Sequence, residues 1–305
     1  MNLVSAFFRL VRWSNLVFIL LTQVLFYGCI YYQLYEAHDL KRLVLLVLAS
    51  MFIAAAGYII NDYFDLNIDQ VNKPGKNVVD SIIHRRWAII WHLVLSFLGV
   101  VLTALAVGFT HWYLIIANFI CVVLLWFYST LFKRKLLIGN LVISLLIAWP
   151  ILILFFAFSS PESAFNAADP RSVKFFRLAF LYAGFAFISS LIREAIKDME
   201  DLKGDARYGC QTLPIVAGVN TTKIYTAVWI GVLVATLMIL QFYVLQFGWW
   251  PFVLYTVVLV ILPLLRVLLR LRTSTSPAHF AALSRQTKWI ILAGIFSMIF
   301  FLFYI

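Results

Sequence analysis

The stretch Ala54–Lys76, which reads AAAGYIINDYFDLNIDQVNKPGK, contains the change in composition that decides the fold. Apolar residues dominate it as far as Ile60. Three polar residues then follow at intervals of four: Asn61, Asp65 and Asp69. A helix that continued past Ile60 would place these side chains along one face, with neighbours about 6 Å apart. The pattern therefore predicts a membrane-spanning helix that ends in a row of polar side chains.

The composition of the whole chain is that of an integral membrane protein. Hydrophobic residues make up 64% of its 305 residues, charged residues make up 12%, and the mean hydropathy is +0.97. Soluble domains carry about 25% charged residues, so this chain has too few to cover a water-exposed surface. No linker rich in Gly, Pro or Ser divides the sequence. We therefore predict a single integral-membrane domain over residues 1–305.

Nine apolar segments each approach the ~20 residues that cross a bilayer as a helix. They predict an all-α, polytopic fold whose two termini lie on opposite sides of the membrane. The segments cover residues 13–33, 40–60, 87–108, 112–131, 138–159, 174–193, 222–246, 249–271 and 287–305.

The basic residues predict the orientation of these spans. With the N-terminus in the cytosol, 19 of the 24 Lys and Arg residues fall on the cytosolic side, in agreement with the positive-inside rule. The same rule accounts for the net charge of +11 without nucleic acid as a partner. We predict a protein of the cell inner membrane with its N-terminus and its functional site on the cytosolic side.

The acidic residues are concentrated in two of the cytosolic segments. Nine of the 13 lie either at residues 62–80 or at residues 194–205. In the second segment Asp198, Asp201 and Asp205 are spaced i, i+3, i+7, which predicts that they share a helical face. A single cluster of this kind is more often the solvated end of a helix. Two clusters on one side of the membrane favour a functional site.

Facing rows of carboxylates are suited to binding divalent cations. Carboxylates at i and i+4 repel one another on an isolated helix, whereas a cation between them is attracted by both. Mg²⁺ prefers oxygen ligands and is often held by one or two carboxylates together with water and substrate phosphates. We therefore predict Mg²⁺ as the cofactor and a diphosphate as its ligand. Basic residues placed to bind the remaining phosphate oxygens are Lys73, Lys76, Lys133, Arg134, Lys135, Arg193 and Lys197.

The membrane setting implies that the organic part of the diphosphate is a lipid. The chain has 28 Phe and 14 Tyr, enough to line an apolar channel whose ring faces stabilise a developing cation. Departure of the diphosphate would leave an allylic cation for attack by a second substrate. A secondary transporter that uses intramembrane acids is the main alternative, and a scaffold with a metal-stabilised cytosolic cap is another.

At these residues the chain resembles the UbiA superfamily of intramembrane prenyltransferases. The family's NDxxDxxxD motif is matched from Asn61 to Asp69, and its DxxDxxxD motif is matched from Asp198 to Asp205. The continuation GDxxxGxxTLPxxxG is matched from Gly204 to Gly218, and YSTLFKRKLLIGN (128–140) is similar to the family's YSxxLKRxxxxGN. RWSN (12–15) is similar to the family's RPxN, with tryptophan in place of proline.

This resemblance implies nine helices around a central cavity that opens laterally to membrane lipids, and Mg²⁺-dependent transfer from a polyprenyl diphosphate such as geranylgeranyl diphosphate. It implies that Tyr128 borders the reacting carbon, although Tyr128 fits an aromatic belt equally well by position. The substrate-binding residues it implies are Arg12, Asn15, Asn61, Lys73, Lys133, Arg193 and Lys197. The metal-binding residues it implies are Asn61, Asp65, Asp69, Asp198, Asp201 and Asp205. Of these, Asp65, Asp69, Asp198 and Asp201 are predicted to be catalytic together with Tyr128.

The lipophilic acceptor stays open at this point. FDLNIDQVNKP (64–74) is similar to the branch that joins geranylgeranyl groups to geranylgeranylglyceryl phosphate, and also to the homogentisate branch, which prenylates an aromatic quinone precursor. Many relatives continue with a Pro-Ser-Gly turn, where this chain reads GKNVVDS (75–81).

Overall fold

The computed structural model describes residues 3–72, 79, 82–159 and 168–304. Within these residues it contains nine helices that are long and apolar enough to cross a membrane. The prediction of an all-α, polytopic fold is confirmed. Lys73 and Lys76, which the sequence predicts to bind phosphate, lie outside the described residues.

The helices are named here in chain order. A short helix α1 precedes the first span, and two short helices, α8 and α9, follow the sixth. The bounds are α1 Leu3–Leu10, α2 Trp13–Tyr35, α3 Leu40–Asn72, α4 Arg85–Val107, α5 Trp112–Thr130, α6 Ile138–Phe158, α7 Pro170–Glu200, α8 Leu202–Arg207, α9 Leu213–Val216, α10 Val219–Leu245, α11 Trp250–Thr273 and α12 Pro277–Tyr304.

Two of the spans, α3 and α7, are much longer than the apolar segments that predict them. They contain 33 and 31 residues, and at 1.5 Å per residue each is about 45–50 Å long, against ~30 Å for the apolar core of a bilayer. The apolar pattern ends at Ile60 in α3, but the backbone hydrogen bonds of the helix continue to Asn72. Hydropathy detects only the part of a helix that lies within the apolar core of the bilayer, so the sequence-based ends were too early. The acidic motifs lie on or directly after these extensions.

A hydrophobic cluster closes the bundle at the end opposite to the acidic motifs. Phe26, Phe155 and Phe175 are fully buried there, and the ring of Phe175 lies 5.6 Å from that of Phe26 and 5.3 Å from that of Phe155. This cluster joins α2, α6 and α7.

Two further hydrophobic clusters pack the sides of the bundle. One contains Ile192, Ile230 and Val267 and joins α7 to α10 and α11. The other contains Leu10 and Ile59 and joins α1 to α3. The space enclosed by the three clusters is the central cavity, so the prediction of helices arranged around a cavity is also confirmed.

Removal of the Phe155 ring should destabilise the fold. Phe155→Ala leaves a void at the junction of three helices, and such truncations cost about 3–5 kcal/mol in protein cores. We expect a lower unfolding temperature for the purified protein in detergent. Phe109→Ala is the matched control because Phe109 is 94% exposed. Equal unfolding temperatures for Phe155→Ala and the wild type would contradict this account of the core.

Candidate active site

One cavity of about 580 Å³ lies between the spans, within the size range of small-molecule sites. With the exception of Lys73, every site residue that the family motifs imply lines it. These residues are Arg12, Asn15, Asn61, Asp65, Asp69, Tyr128, Lys133, Arg193, Lys197, Asp198, Asp201 and Asp205. Arg134 and Lys135, which follow Lys133, do not line it. The fold thus brings side chains from α2, α3, α5, α7 and α8 to a common space. Their proposed roles are taken up below.

The cavity is charged at one end and apolar at the other. Ser50 and Asp65 both line it from α3, and 15 residues of helix place them about 22 Å apart along the axis. Tyr182 and Asp198 both line it from α7, about 24 Å apart. The uncharged end is lined mainly by aliphatic and aromatic side chains, including Ile53, Ile147, Trp149, Tyr182, Ile295 and Met298. A ligand that fills this cavity has a charged head and a long apolar tail.

The apolar end contains a chain of buried hydrogen bonds. The indole Nε1 of Trp149 donates to Asn118 Oδ1 at 2.7 Å, and Asn118 Nδ2 donates to Thr103 Oγ1, also at 2.7 Å. Thr103 and Asn118 are 0% and 2% exposed. The three residues belong to α4, α5 and α6, so this chain holds the Trp149 ring in one orientation at the cavity wall.

The first row of polar side chains lies on the extension of α3. Asn61 Nδ2 donates to Asp65 Oδ2 at 2.7 Å, and the Lys133 ammonium forms an ion pair with the same carboxylate. The helix that carries Asn61, Asp65 and Asp69 is continuous to Asn72, so the prediction that it extends past Ile60 is confirmed.

Lys133 is supplied by the 3₁₀ turn Phe132–Arg134, between α5 and α6. The start of α6 packs closely against this turn. A Cβ atom added to Gly139 would lie 2.7 Å from Lys133 Cα, so glycine is required there. Burial, followed by repulsion from Arg134, lowers the pKa of the Lys133 ammonium to about 7. The Asp65 carboxylate in contact with it opposes that shift by stabilising the charged form.

The second row differs from the prediction in one respect. Asp198 lies on α7 and accepts a hydrogen bond from Asn140 Nδ2 at 2.8 Å, but α7 ends at Glu200. Asp201 follows with φ −91° and ψ 5°, and Asp205 belongs to the separate helix α8. The prediction of one uninterrupted helical face for the three aspartates was therefore wrong.

A contact between the two acidic segments lies directly after the break. The backbone N–H of Gly204 donates to Asn72 Oδ1 at 2.7 Å, which joins α8 to the last residue of α3. A Cβ atom at position 204 would lie 2.6 Å from Asn72 Cγ, so a larger residue there would displace the Asn72 side chain from this contact. The chain leaves the helical path of α7 at Asp201, and this contact then joins the segments that carry the two rows.

The oxygen donors fit a hard divalent cation, although no metal site is preassembled. In the described part of the chain, no group of three His, Cys, Asp or Glu side chains is close enough to hold a metal ion. Mg²⁺ needs only one or two carboxylates when water and phosphate complete its shell. The Asn61 and Lys133 partners of Asp65 occupy positions that a cation and its phosphate ligands would take over.

Sequence reasoning missed several residues of this cavity. Glu194 is 6% exposed and accepts hydrogen bonds from Arg193 Nη1 at 2.9 Å and Lys197 Nζ at 3.1 Å. It could have been found, because three charges within five residues of a membrane-spanning helix are rare without a function. Other residues that line the cavity and were given no role from the sequence include Tyr58, Asp62, Asn72, Asn140, Trp149 and Lys288.

Arg12 and Asp62 form an ion pair at the start of α2. Arg12 Nη2 donates to Asp62 Oδ1 at 2.6 Å, and the guanidinium carbon lies 5.1 Å from the centre of the Tyr58 ring. Burial alone would lower the pKa of Arg12, but the Asp62 carboxylate outweighs it and raises that pKa. The backbone of Arg12 is left-handed, with φ 51° and ψ 53°. This turn directs the chain from α1 into α2.

A model of the UbiA prenyltransferase family matches residues 19–292 of the chain. The chain belongs to this family. The resemblance inferred from the motifs is confirmed, as is the prediction that the protein is a prenyltransferase.

Individual relatives agree with the family assignment. The digeranylgeranylglyceryl phosphate synthase of Sulfurisphaera tokodaii is 29% identical over 245 residues, which cover 79% of this chain and 80% of that protein. A solved structure of a digeranylgeranylglyceryl phosphate synthase superposes with a TM-score of 0.63 at 22% identity, over 98% of this chain and 99% of the other. A UbiA homologue from Archaeoglobus fulgidus, solved with DMAPP and Mg²⁺, has a TM-score of 0.60 at 18% identity, over 96% and 98%.

The contact between Gly204 and Asn72 generates a prediction for this family member. Gly204→Val should displace α8 from α3 and widen the gap between the two rows. We expect prenyl transfer to fall about tenfold or more, because catalytic geometry tolerates little misplacement, and to require more Mg²⁺ for half-maximal rate. Gly231→Ala in α10 is the control, since no atom lies within 4 Å of its added Cβ. An unchanged Mg²⁺ dependence in Gly204→Val would argue against this role for the contact.

Proposed function

We propose that this prenyltransferase uses Mg²⁺ to transfer a polyprenyl group from its diphosphate to a lipophilic acceptor within the membrane. One observation carries the proposal: a single cavity joins two carboxylate-bearing helix ends and several basic side chains to an apolar interior. The first part suits a metal-bound diphosphate, and the second suits a prenyl tail.

The metal would be held by the two rows that face the cavity. Its ligands would come from Asn61, Asp65, Asp69, Asp198, Asp201 and Asp205. When bound, Mg²⁺ would neutralise charge on the diphosphate oxygens and make the diphosphate a better leaving group. The solved homologue that binds DMAPP and Mg²⁺ supports this arrangement.

The basic side chains would bind the phosphate oxygens. Lys133 is paired with Asp65, and Arg193 and Lys197 share Glu194. A diphosphate can replace these carboxylates as the partner of each cation, so the site exchanges internal ion pairs for substrate contacts. We also propose that Lys73 binds phosphate, because it follows the Asn61–Asp69 motif in the sequence.

The chemical step breaks the bond between C1 of the prenyl group and its diphosphate oxygen, and the electron pair leaves with the diphosphate. The side chains of Lys133, Arg193 and Lys197 stabilise the charge that develops on the leaving group. Tyr128 would border C1, where its ring face stabilises the allylic cation. A hydroxyl or ring carbon of the acceptor then forms the new bond to C1 and loses its proton. The surrounding apolar walls exclude water, which would otherwise trap the cation.

We further propose a cytosolic location for the charged end of the cavity. The support is the distribution of basic residues, 19 of 24 of which would lie on that side. The same distribution supports the cell inner membrane as the location.

The transporter alternative is less consistent with the cavity. A transported ion needs polar groups along its path, and transporters place them near the bilayer midplane. Here the carboxylates cluster at helix ends and the interior is mainly apolar. Ion flux into proteoliposomes without product formation would favour the transporter.

Loss of either row should abolish transfer. Asp65→Asn and Asp198→Asn each remove a charge from the proposed metal site, and we expect at least a ~100-fold fall in rate. The measurement is product formation from radiolabelled geranylgeranyl diphosphate with Mg²⁺ and a panel of acceptors: glyceryl phosphate lipids, hydroxybenzoates and naphthoates. Asp169→Asn is the control, because Asp169 caps α7 far from the cavity and asparagine caps equally well. Full activity in either test variant would remove that aspartate from the mechanism.

The apolar end should limit the length of the prenyl chain. The levels of Asp198 and Tyr182 on α7 are ~24 Å apart along the helix axis. An isoprene unit adds four bonds of ~1.5 Å to the chain and is therefore ~5 Å long. The distance corresponds to about four or five isoprene units at ~5 Å each. Trp149→Ala should therefore shift the preferred donor from about C20 to longer chains, as measured by mass spectrometry of the products. Trp126→Ala is the control, since that ring packs against Phe64 and His92 outside the cavity lining. The same length profile in Trp149→Ala and the wild type would contradict this prediction.

A further inference from the structure

The apolar end of the cavity contains a close contact between α7 and α12. The ring of Phe185 on α7 lies against Gly294 on α12, and Gly294 is buried. A Cβ atom added to Gly294 would lie 2.5 Å from Phe185 Cζ and closer still to Phe185 Cε1. A side chain at position 294 would therefore have to displace the ring. The missing side chain of Gly294 provides the recess in which the Phe185 ring lies.

Hydrogen bonds join the two helices directly beside this contact. Ser297 Oγ donates to the carbonyl oxygen of Gly294 at 2.6 Å, so the Tyr182 hydroxyl is the donor in its 2.9 Å bond to Ser297 Oγ. Tyr182 lies three residues before Phe185, and Ser297 lies three residues after Gly294. Buried hydrogen bonds of this kind hold membrane helices together. A larger residue at position 294 is therefore expected to move the ring rather than the helices.

The cavity is the space into which the Phe185 ring can move. Phe185 is half-buried and lines the cavity, whereas on its other side it packs against the hydrophobic cluster of Ile192 and Ile230. Both of these isoleucines are fully buried. A close-packed core of this kind has no room for a displaced ring. A ring that leaves its recess at Gly294 therefore enters the cavity.

Phe185 lies at the depth at which a prenyl tail of about four units would end. It precedes Asp198 by 13 residues on α7, and this length of helix is ~20 Å. Four isoprene units at ~5 Å each cover the same distance. The position of the ring therefore decides how much of the cavity is open beyond the third or fourth unit.

We propose that Phe185 narrows the far end of the prenyl-tail site and that Gly294 sets the position of its ring, so that this pair selects the length of the donor. The inference rests on the proposed prenyl transfer and names residues that choose its first substrate. Phe185 contacts the tail, whereas Gly294 is a positioning residue that acts through the ring. A longer tail meets the ring, and a shorter tail leaves apolar surface without contacts.

The test compares prenyl diphosphates of three, four and five isoprene units in the full-length protein: farnesyl, geranylgeranyl and geranylfarnesyl diphosphate. Each is supplied with Mg²⁺ and with the acceptor from the panel above that gives the wild type most product. Gly294→Ala should lower the ratio of kcat/KM for geranylgeranyl over farnesyl diphosphate by about tenfold or more, the discrimination that a small change in an apolar pocket achieves. Phe185→Leu should raise the relative use of geranylfarnesyl diphosphate.

The double variant Gly294→Ala/Phe185→Leu distinguishes a displaced ring from displaced helices. Leucine lacks the Cε1 and Cζ atoms that the new methyl group would meet, and Phe185 Cδ1 lies 3.2 Å from the added Cβ. The double variant should therefore use geranylgeranyl diphosphate, relative to farnesyl diphosphate, at least as well as the wild type. Gly184→Ala is the matched control on α7, because no atom lies within 4 Å of its added Cβ.

An unchanged length profile in Phe185→Leu would overturn the inference, and this variant suffices if Gly294→Ala does not fold. A double variant that keeps the profile of Gly294→Ala would also overturn it, since the helices would then have moved. Absence of transfer from every donor by the wild type would instead refute the proposed function. Unfolding temperatures with each diphosphate and Mg²⁺, measured without acceptor, give the length profile of binding alone and test the inference even then.

Discussion

The ion pair between Asp65 and Lys133 illustrates the constraint on which the cavity depends. Charged side chains at the edge of a bilayer need oppositely charged or hydrogen-bonding partners. Each carboxylate of the cavity whose contacts are described above has such a partner: Asp62 has Arg12, Glu194 has Arg193 and Lys197, and Asp198 has the amide of Asn140. Unpaired charges of this kind would be expensive next to lipid. The helix bundle can therefore remain folded without a ligand, because the charged side chains of the cavity pair with one another.

Internal compensation also makes the cavity responsive to a charged ligand. In the proposed reaction a cation bound to Asp65 would compete with Lys133, and the released ammonium would then be available to a phosphate oxygen. Metal and diphosphate would thus stabilise each other's binding, since each takes one half of an existing ion pair. The Gly204–Asn72 contact joins the two acidic segments through a hydrogen bond from the Gly204 backbone N–H to the Asn72 side chain.

The sequence predicted the fold and most of the charged residues that line the cavity, for identifiable reasons. Runs of apolar residues mark the parts of the helices that lie within the bilayer, so the nine spans could be located. The ends of α3 and α7 could not be located, because both helices continue beyond their apolar parts. The spacing of Asn61, Asp65 and Asp69 places their side chains on one helical face only if the helix is continuous. This condition is met in α3. It does not hold at Asp201, where α7 has ended. Lys288 was overlooked because a single charge in an apolar segment has no periodic pattern, whereas Glu194 was marked by the charges of Arg193 and Lys197 beside it.

Taken alone, the order of residues predicted three properties of the protein. The described residues form nine helices long and apolar enough to cross a membrane, two acidic segments lie at one end of them, and the chain belongs to a prenyltransferase family. These properties follow from hydropathy, helical period and local motifs, each of which acts over a few tens of residues. The tertiary structure decided which charges meet. Lys288 meets Asn15 across 273 positions, and Asn72 meets Gly204 across 132. Such pairs arise from the packing of helices around a common cavity, and packing is a property of the whole bundle rather than of any one segment.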